Sequence, residues 1–326
     1  MSRLKLRLIT QQFLIKMIDF SIFYKKKYFE GAIPVSTNYD FFFSAYDDCE
    51  RTKVLFTKVS SKNKYWIMFP HYNIQEYIEN CFIYPGYDED NEDFISFINS
   101  LEINDSSSIC IDITGFLRPH LIFFSILLQR KGITKIDYIY TEPKYYNNSE
   151  ETAFSGIVSE KPRLVHGCGS HMNNPNFEKD LLIINAGYDD KLISAISSDK
   201  AKINNKVLII GFPSLQPDMY QENILKINKA KDEIGTIKEQ KYAPANDPFV
   251  TANTIMEIVN ANPESNNIYL SPLSTKPQTL GILLYYVWFK DEKSLNIIFP
   301  FSNIYIPKTA IGINYTWIYT LEFPIT

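Results

Sequence analysis

The stretch Leu270-Ser271-Pro272-Leu273-Ser274-Thr275-Lys276-Pro277 sets two hydroxyls and an amine between an apolar strand pattern and an apolar helix pattern. Proline is tolerated in the first turn of a helix, where its missing N–H has no intrahelical partner. Pro277 therefore marks a helix start, and Ser274, Thr275 and Lys276 fall in the loop at a strand's C-terminal end. Open parallel sheets bind ligands there, beside helix N-termini whose free N–H groups and dipole favour anions. The chemistry expected of this loop is contact to a phosphate or carboxylate. Ser and Thr are also ordinary N-caps, so capping is the alternative role for both hydroxyls.

A second loop repeats the pattern. Residues 108–143 align without gaps on 266–301, placing Arg118 on Lys276 and Pro119 on Pro277. Thr114, Gly115 and Arg118 are the corresponding ligand-binding candidates. Asp112 interrupts an otherwise apolar strand, and a buried carboxylate is costly unless paired. Pairing with Arg118, capping, or a role toward a ligand or metal are the alternatives for it. Other strand ends carry further groups: Glu142, then Gly187 with Tyr188 and Asp189, then Ser214, Gln216 and Asp218. Glycine at 187 permits close backbone approach. Asp112, Glu142, Asp189 and Asp218 are the candidate acids and bases should a reaction occur.

The elements that must position these groups recur along the chain. Short apolar runs such as 64–72, 108–116, 135–143, "LLIINAGYD" and "KVLIIGFPS" alternate with polar turns and amphipathic stretches. Residues 73–80, "NIQEYIEN", fit a helix after the first of these runs. Continuous β-rich apolar runs separated by helices predict an α/β fold with mainly parallel sheets covered on both faces. We read two Rossmann-like halves, 35–150 and 178–326, joined by a short irregular β insert at 151–177. Residues 1–34 form an N-terminal arm whose apolar positions Leu6, Phe13, Met17 and Phe20 suit one face of a basic amphipathic helix. Such an arm docks on the domain, on a partner or, alternatively, on a membrane surface.

Composition narrows the function classes. Of 326 residues, 45% are hydrophobic and 21% charged, an ordinary globular balance, and the net charge of −4 does not indicate nucleic-acid binding. No apolar run reaches the roughly 20 residues that span a bilayer. Four widely spaced cysteines, Cys49, Cys81, Cys110 and Cys168, read as reduced thiols of a cytoplasmic protein. No P-loop, GxGxxG, GxSxG or HExxH motif is present. His166, Cys168 and His171 offer three metal donors where a structural zinc site needs four, and no metal or cofactor is predicted.

The strand, Thr275-Lys276 turn and small-residue helix of 268–287 resemble the ligand-binding turn of CARF-type Rossmann domains, sensors in prokaryotic defence proteins. Leu273 and Ser274 stand where that family has a pair of glycines. The resemblance implies a nucleotide-like ligand at Thr275, Lys276 and Ser274. It further implies a protein partner or homo-oligomer and a place in bacterial antiviral defence. Three functions remain in view: a ligand-sensing subunit, a nucleosidase- or hydrolase-type enzyme acting on a nucleotide or phosphorylated small molecule, and an assembly subunit that binds no ligand.

Overall fold

The computed structural model describes residues 18–29, 32, 37–85, 91–146, 161–169, 177–302, 305 and 310–324. The arm's Leu6, Phe13 and Met17, much of the 151–177 insert and His171 lie outside these residues. The fold is α/β, built on two mainly parallel sheets flanked by helices.

The first sheet begins at its centre with β2 (Asn38–Tyr46), whose Phe41-Phe42-Phe43-Ser44-Ala45 run is buried on both faces. Parallel neighbours are β3 (Ser60–Met68) and then β4 (Cys81–Ile83) on one side, and β5 (Ile109–Asp112) and then β6 (Lys135–Thr141) on the other. The second sheet repeats this order. Its central β9 (Leu181–Ala186) is flanked by β10 (Asn205–Gly211) and β11 (Glu239–Ala243) on one side. On the other lie β12 (Ile268–Pro272) and β13 (Leu295–Phe299). In both sheets the first strand is central, the next two run outward one way, and the last two run outward the other way. That is a doubly wound arrangement with its switch point between the first and fourth strands.

A separate antiparallel pair joins β7 (Tyr145–Tyr146) to β14 (Ala310–Ile311). Each of the two larger sheets also ends in an antiparallel strand. On β13 this is β8 (Arg163–Gly169), the described part of the insert; on β6 it is β15 (Thr316–Glu322), followed by β1 (Lys25–Tyr28). The first sheet thus takes a strand from the C-terminal segment, so no single chain position separates the two sheets. The described end of the N-terminal arm is not a long helix either. Phe20–Ile22 is one 3-10 turn with Phe20 buried, and three consecutive lysines continue as the edge strand β1. Residues 73–80 form no helix; Asn73 adopts a left-handed conformation (φ 49°) and ends the turn Pro70–Tyr72.

Helices α1 (Glu50–Lys58), α2 (Glu92–Ser100) and α3 (Arg118–Arg130) belong to the first half. In the second are α4 (Asp190–Asp199), α5 (Met219–Lys229), α6 (Lys231–Ile234), α7 (Pro248–Asn260) and α8 (Lys276–Phe289). The aligned segments 108–143 and 266–301 become β5–α3–β6 and β12–α8–β13, with both helices starting at the aligned basic residue. Along both helices apolar side chains are buried nearly all round, as expected of helices enclosed by other elements. They pack on each other, and the apolar core is continuous across both sheets.

At each switch point the first and fourth strands, or the loops that follow them, are in backbone contact. A methyl group on Gly115 would lie 2.3 Å from the Ala45 carbonyl oxygen; one on Gly187 would lie 2.0 Å from that of Leu273. Main chain cannot yield as a flexible side chain does. Gly115→Ala and Gly187→Ala should each therefore cost about 1–3 kcal/mol in urea unfolding. Wild-type stability in either variant would refute the close approach at that switch point.

Candidate functional site

The two switch points face each other across the seam between the halves. A cavity of about 120 Å³ lies there, lined from the first half by Asp47, Cys49, Arg51, Thr114 and Arg118 and from the second by Tyr188, Ser274, Thr275 and Lys276. Tyr72, Tyr140, Tyr146 and Tyr305 complete a largely aromatic wall, with Leu215 and Met219 on its apolar side.

Two hydrogen bonds cross the seam in opposite senses. Arg118 Nε donates to the Ser274 carbonyl oxygen at 2.5 Å, and Lys276 Nζ donates to the Thr114 carbonyl oxygen. The residues aligned by the repeat thus each reach into the other half's loop. Arg51 is buried, donating through Nη1 to the Thr141 carbonyl (2.9 Å), with Nε 3.4 Å from Cys49 Sγ. Burial pushes the Lys276 ammonium down to about 7, assisted by Arg118 and Arg51 and opposed by Asp47 and Asp112. Arg118 is also lowered by burial.

The two hydroxyls of the opening motif have internal duties. Ser274 Oγ donates to Gln278 Oε1 at 2.5 Å, and Thr275 Oγ1 donates to the Ala245 carbonyl while accepting from Gln278 N at 3.4 Å. Gln278 Nε2 in turn donates to the Ala243 carbonyl. Thr275 is therefore the N-cap of α8, and both hydroxyl protons are committed to holding the turn. What the motif offers a ligand is Lys276 and the first-turn N–H groups. Thr114 lines the cavity, with its Oγ1 accepting from Thr141 N. Gly115 and Gly187 lie behind the wall, where they permit the loop contacts described above.

The four candidate acid–base carboxylates are not brought together. Asp112 is fully buried and accepts from Ser44 Oγ (2.8 Å) and Thr114 N (2.9 Å), not from Arg118. Burial raises its carboxyl to about 6 against the pull of those donors. It shapes the loop after β5 from behind. Glu142 accepts from Trp317 Nε1 (2.7 Å) and is raised by burial, bracing the end of β6 against β15. Asp189 caps α4 through Leu192 N, and Asp218 is exposed at the start of α5. The lining carboxylate is Asp47, held by Cys49 N (3.1 Å) and Thr52 Oγ1 (2.8 Å).

Asp47, Cys49 and Arg51 escape the sequence reading because they follow β2, a strand that reading did not identify. A signal for them exists. Tyr46-Asp47-Asp48 at the end of β2 matches Tyr188-Asp189-Asp190 just after β9, the first strand of each sheet. Elsewhere, His71 and His120 are buried in the core, and His166 stacks edge-on against Phe123. Among the described residues no three His, Cys, Asp or Glu side chains are placed to hold a metal ion. The four cysteines are free thiols. No described helix is long and apolar enough to cross a membrane.

Comparison with known proteins adds little to this geometry. No family model matches the chain, and no curated protein does. Among solved structures the chain is similar to an N-terminal ketoreductase from a macrolactin assembly line. That likeness has a TM-score of 0.24 and 10% identity over 83% of this chain and 72% of the other, and no functional argument rests on it.

Proposed function

We propose that the seam cavity binds a small anionic ligand, of phosphate or nucleotide type, and that the chain acts as a ligand-sensing subunit. The observation that carries this reading is the convergence of Arg51, Arg118 and Lys276, from three separate helix starts, on one cavity whose lining includes a single carboxylate, Asp47. Cations withdrawn from water need oxygen partners, and here all three rest on backbone carbonyls, weaker partners than an anion. Arg118 has further N–H groups with no hydrogen bond among the described residues, and a guanidinium suits bidentate contact to phosphate or carboxylate. The tyrosines give a base or other planar group a surface to stack on.

The resemblance of the Thr275-Lys276 turn to CARF-type domains agrees with this reading. It extends the proposal to a nucleotide-like ligand, a protein partner or second copy, and a role in prokaryotic antiphage defence. A cluster of carboxylates at the cavity would favour the hydrolase alternative, and Asp112, Glu142, Asp189 and Asp218 are not among its lining residues.

Titration of wild type with sulfate, AMP and cyclic dinucleotides, read by thermal shift and calorimetry, tests the site. A ligand at about a hundred times its Kd adds ~2.7 kcal/mol to stability. Loss of one charge-assisted contact in Arg118→Met, Arg51→Met or Lys276→Met should weaken binding by about 1.5–3 kcal/mol. Equal ligand-induced shifts in all three variants would remove the cavity as the anion site.

Lys276 supplies a pH dependence of known sign. With its free-site value near 7, sulfate, whose charge is constant in this range, should bind progressively more weakly as pH rises from 7, and Lys276→Met should flatten that profile. Without ligand the sign reverses. Between pH 7 and the ordinary lysine value the unfolded chain binds more protons than the folded one, so stability gains with rising pH. The stability of wild type relative to Lys276→Met should therefore increase from pH 7 to 10; parallel curves would show that Lys276 titrates as an ordinary exposed lysine.

A further inference from the structure

Among the described residues Lys276 is the one lysine that lines the seam cavity, and it stands among groups that suit a second kind of chemistry. Its Nζ donates a hydrogen bond to the Thr114 carbonyl. A neutral amine that donates there keeps its lone pair for a carbon electrophile, whereas an ammonium has none. Both guanidiniums lining the cavity, Arg118 and Arg51, discourage a third positive charge, and burial acts in the same direction, bringing the ammonium down to about 7. A lysine desolvated beside other cations is the usual form of an amine that attacks carbonyl compounds. Two groups able to exchange protons with a ligand line the same cavity. Asp47 is held in place by Cys49 N and Thr52 Oγ1. Tyr305 is only 8% exposed, and its hydroxyl makes no hydrogen bond among the described residues.

We propose that Lys276 captures the keto group of a small α-oxo carboxylate as an imine, with the carboxylate resting on the guanidiniums of Arg118 and Arg51. The inference rests on the anion-binding reading of this cavity and names a ligand class for it. In the capture step the Nζ lone pair forms the C–N bond while the carbonyl π pair moves to oxygen, which takes a proton to give the carbinolamine. Nitrogen gives up its first proton at this stage. The hydroxyl then leaves as water after a second protonation while the nitrogen lone pair forms C=N. Nitrogen's remaining proton is lost to give the neutral imine. The sum is amine plus ketone to imine plus water, with no oxidant or reductant. Asp47 and Tyr305 are the groups placed to relay those protons.

The pH dependence separates this chemistry from simple anion binding. The charged groups acting on Lys276 are Asp47, from the loop after β2, Arg51 of α1, Asp112 at the end of β5 and Arg118 of α3. Their combined effect leaves a growing neutral fraction as pH rises toward and past 7. Imine capture therefore strengthens over the interval in which sulfate binding weakens.

The experiment uses the full chain incubated with pyruvate and sodium cyanoborohydride, followed by intact mass and peptide mapping. The expected result is a single reduced pyruvate adduct on Lys276, formed faster at pH 8 than at pH 6 and slowed at least tenfold by excess sulfate. Adduct at that position should be absent in Lys276→Arg, which retains a cation, and at least tenfold slower in Arg118→Met. Labelling spread over surface lysines, or an unchanged total in Lys276→Arg, overturns the proposal. If sulfate shifts the melting temperature of wild type but pyruvate leaves Lys276 unlabelled, imine capture fails and the anion site stands. If neither sulfate nor pyruvate shifts it and no adduct forms, both fail.

Discussion

Burial of cationic side chains at the seam is the constraint on which the rest of the site depends. A guanidinium or an ammonium taken from water must find oxygen partners. The loop after β12 supplies the Ser274 carbonyl to Arg118, and the loop after β5 supplies the Thr114 carbonyl to Lys276. For this pair each half satisfies the other's cation, whereas Arg51 is met within its own half by the Thr141 carbonyl. The crossed pair therefore ties the two doubly wound units at the place where such units bind ligands. Proline after each basic residue fixes where its helix begins, and with it the point from which the cation reaches across.

The two halves solve the turn problem with different chemistry. In the first, the carboxylate of Asp112 gathers Ser44 and the Thr114 N–H, and Gly115 lets that loop meet Ala45. In the second, the Gln278 amide gathers Ser274 and the Ala243 carbonyl, and Gly187 lets the neighbouring loop meet Leu273. Aspartate in one and glutamine in the other thus do the same work in the turns after the fourth strands with different chemistry. The same asymmetry extends to the lining, which takes two guanidiniums and Asp47 from the first half but one amine from the second. A repeated frame here holds a site without two-fold character.

The legible parts of this protein were those with strong local signals. The basic-Pro turns announced helix starts because proline's constraint is local, and the gapless match of 108–143 on 266–301 carried over into the same strand–helix–strand units. Central β2 was not identified. Its "DFFFSAY" run shows no alternation, as suits a strand buried on both faces, and with it went Asp47, Cys49 and Arg51. Residues 25–28 read from sequence as part of a helical arm because a lysine run has no period of its own; pairing with β15 makes them a strand. Asp112 was recognised as needing a partner, yet the partners are Ser44 and its own loop. Which oxygen a buried carboxylate meets depends on register between strands, and register is a tertiary property. Ser274 and Thr275 read as ligand contacts or caps; the position of Gln278 in three dimensions gives Ser274 Oγ a side-chain partner and leaves Thr275 as the N-cap.

The crossed hydrogen bonds also constrain what an anion in the cavity would have to do. Any anion that takes up Arg118 or Lys276 competes with a carbonyl that already holds it, and charge-assisted hydrogen bonds are worth about 1.5–3 kcal/mol each. A singly charged ligand that displaces both returns little more than it removes. One that uses the unengaged N–H groups of Arg118 and the Arg51 side chain as well gains without breaking the ties, whereas one that breaks them loosens the seam. A ligand shifts a conformational equilibrium only by its differential affinity for the two states. The charge and size of the occupant thus decide whether the cavity locks the two halves together or releases them, and a sensor built on this fold would gain its signal from that difference.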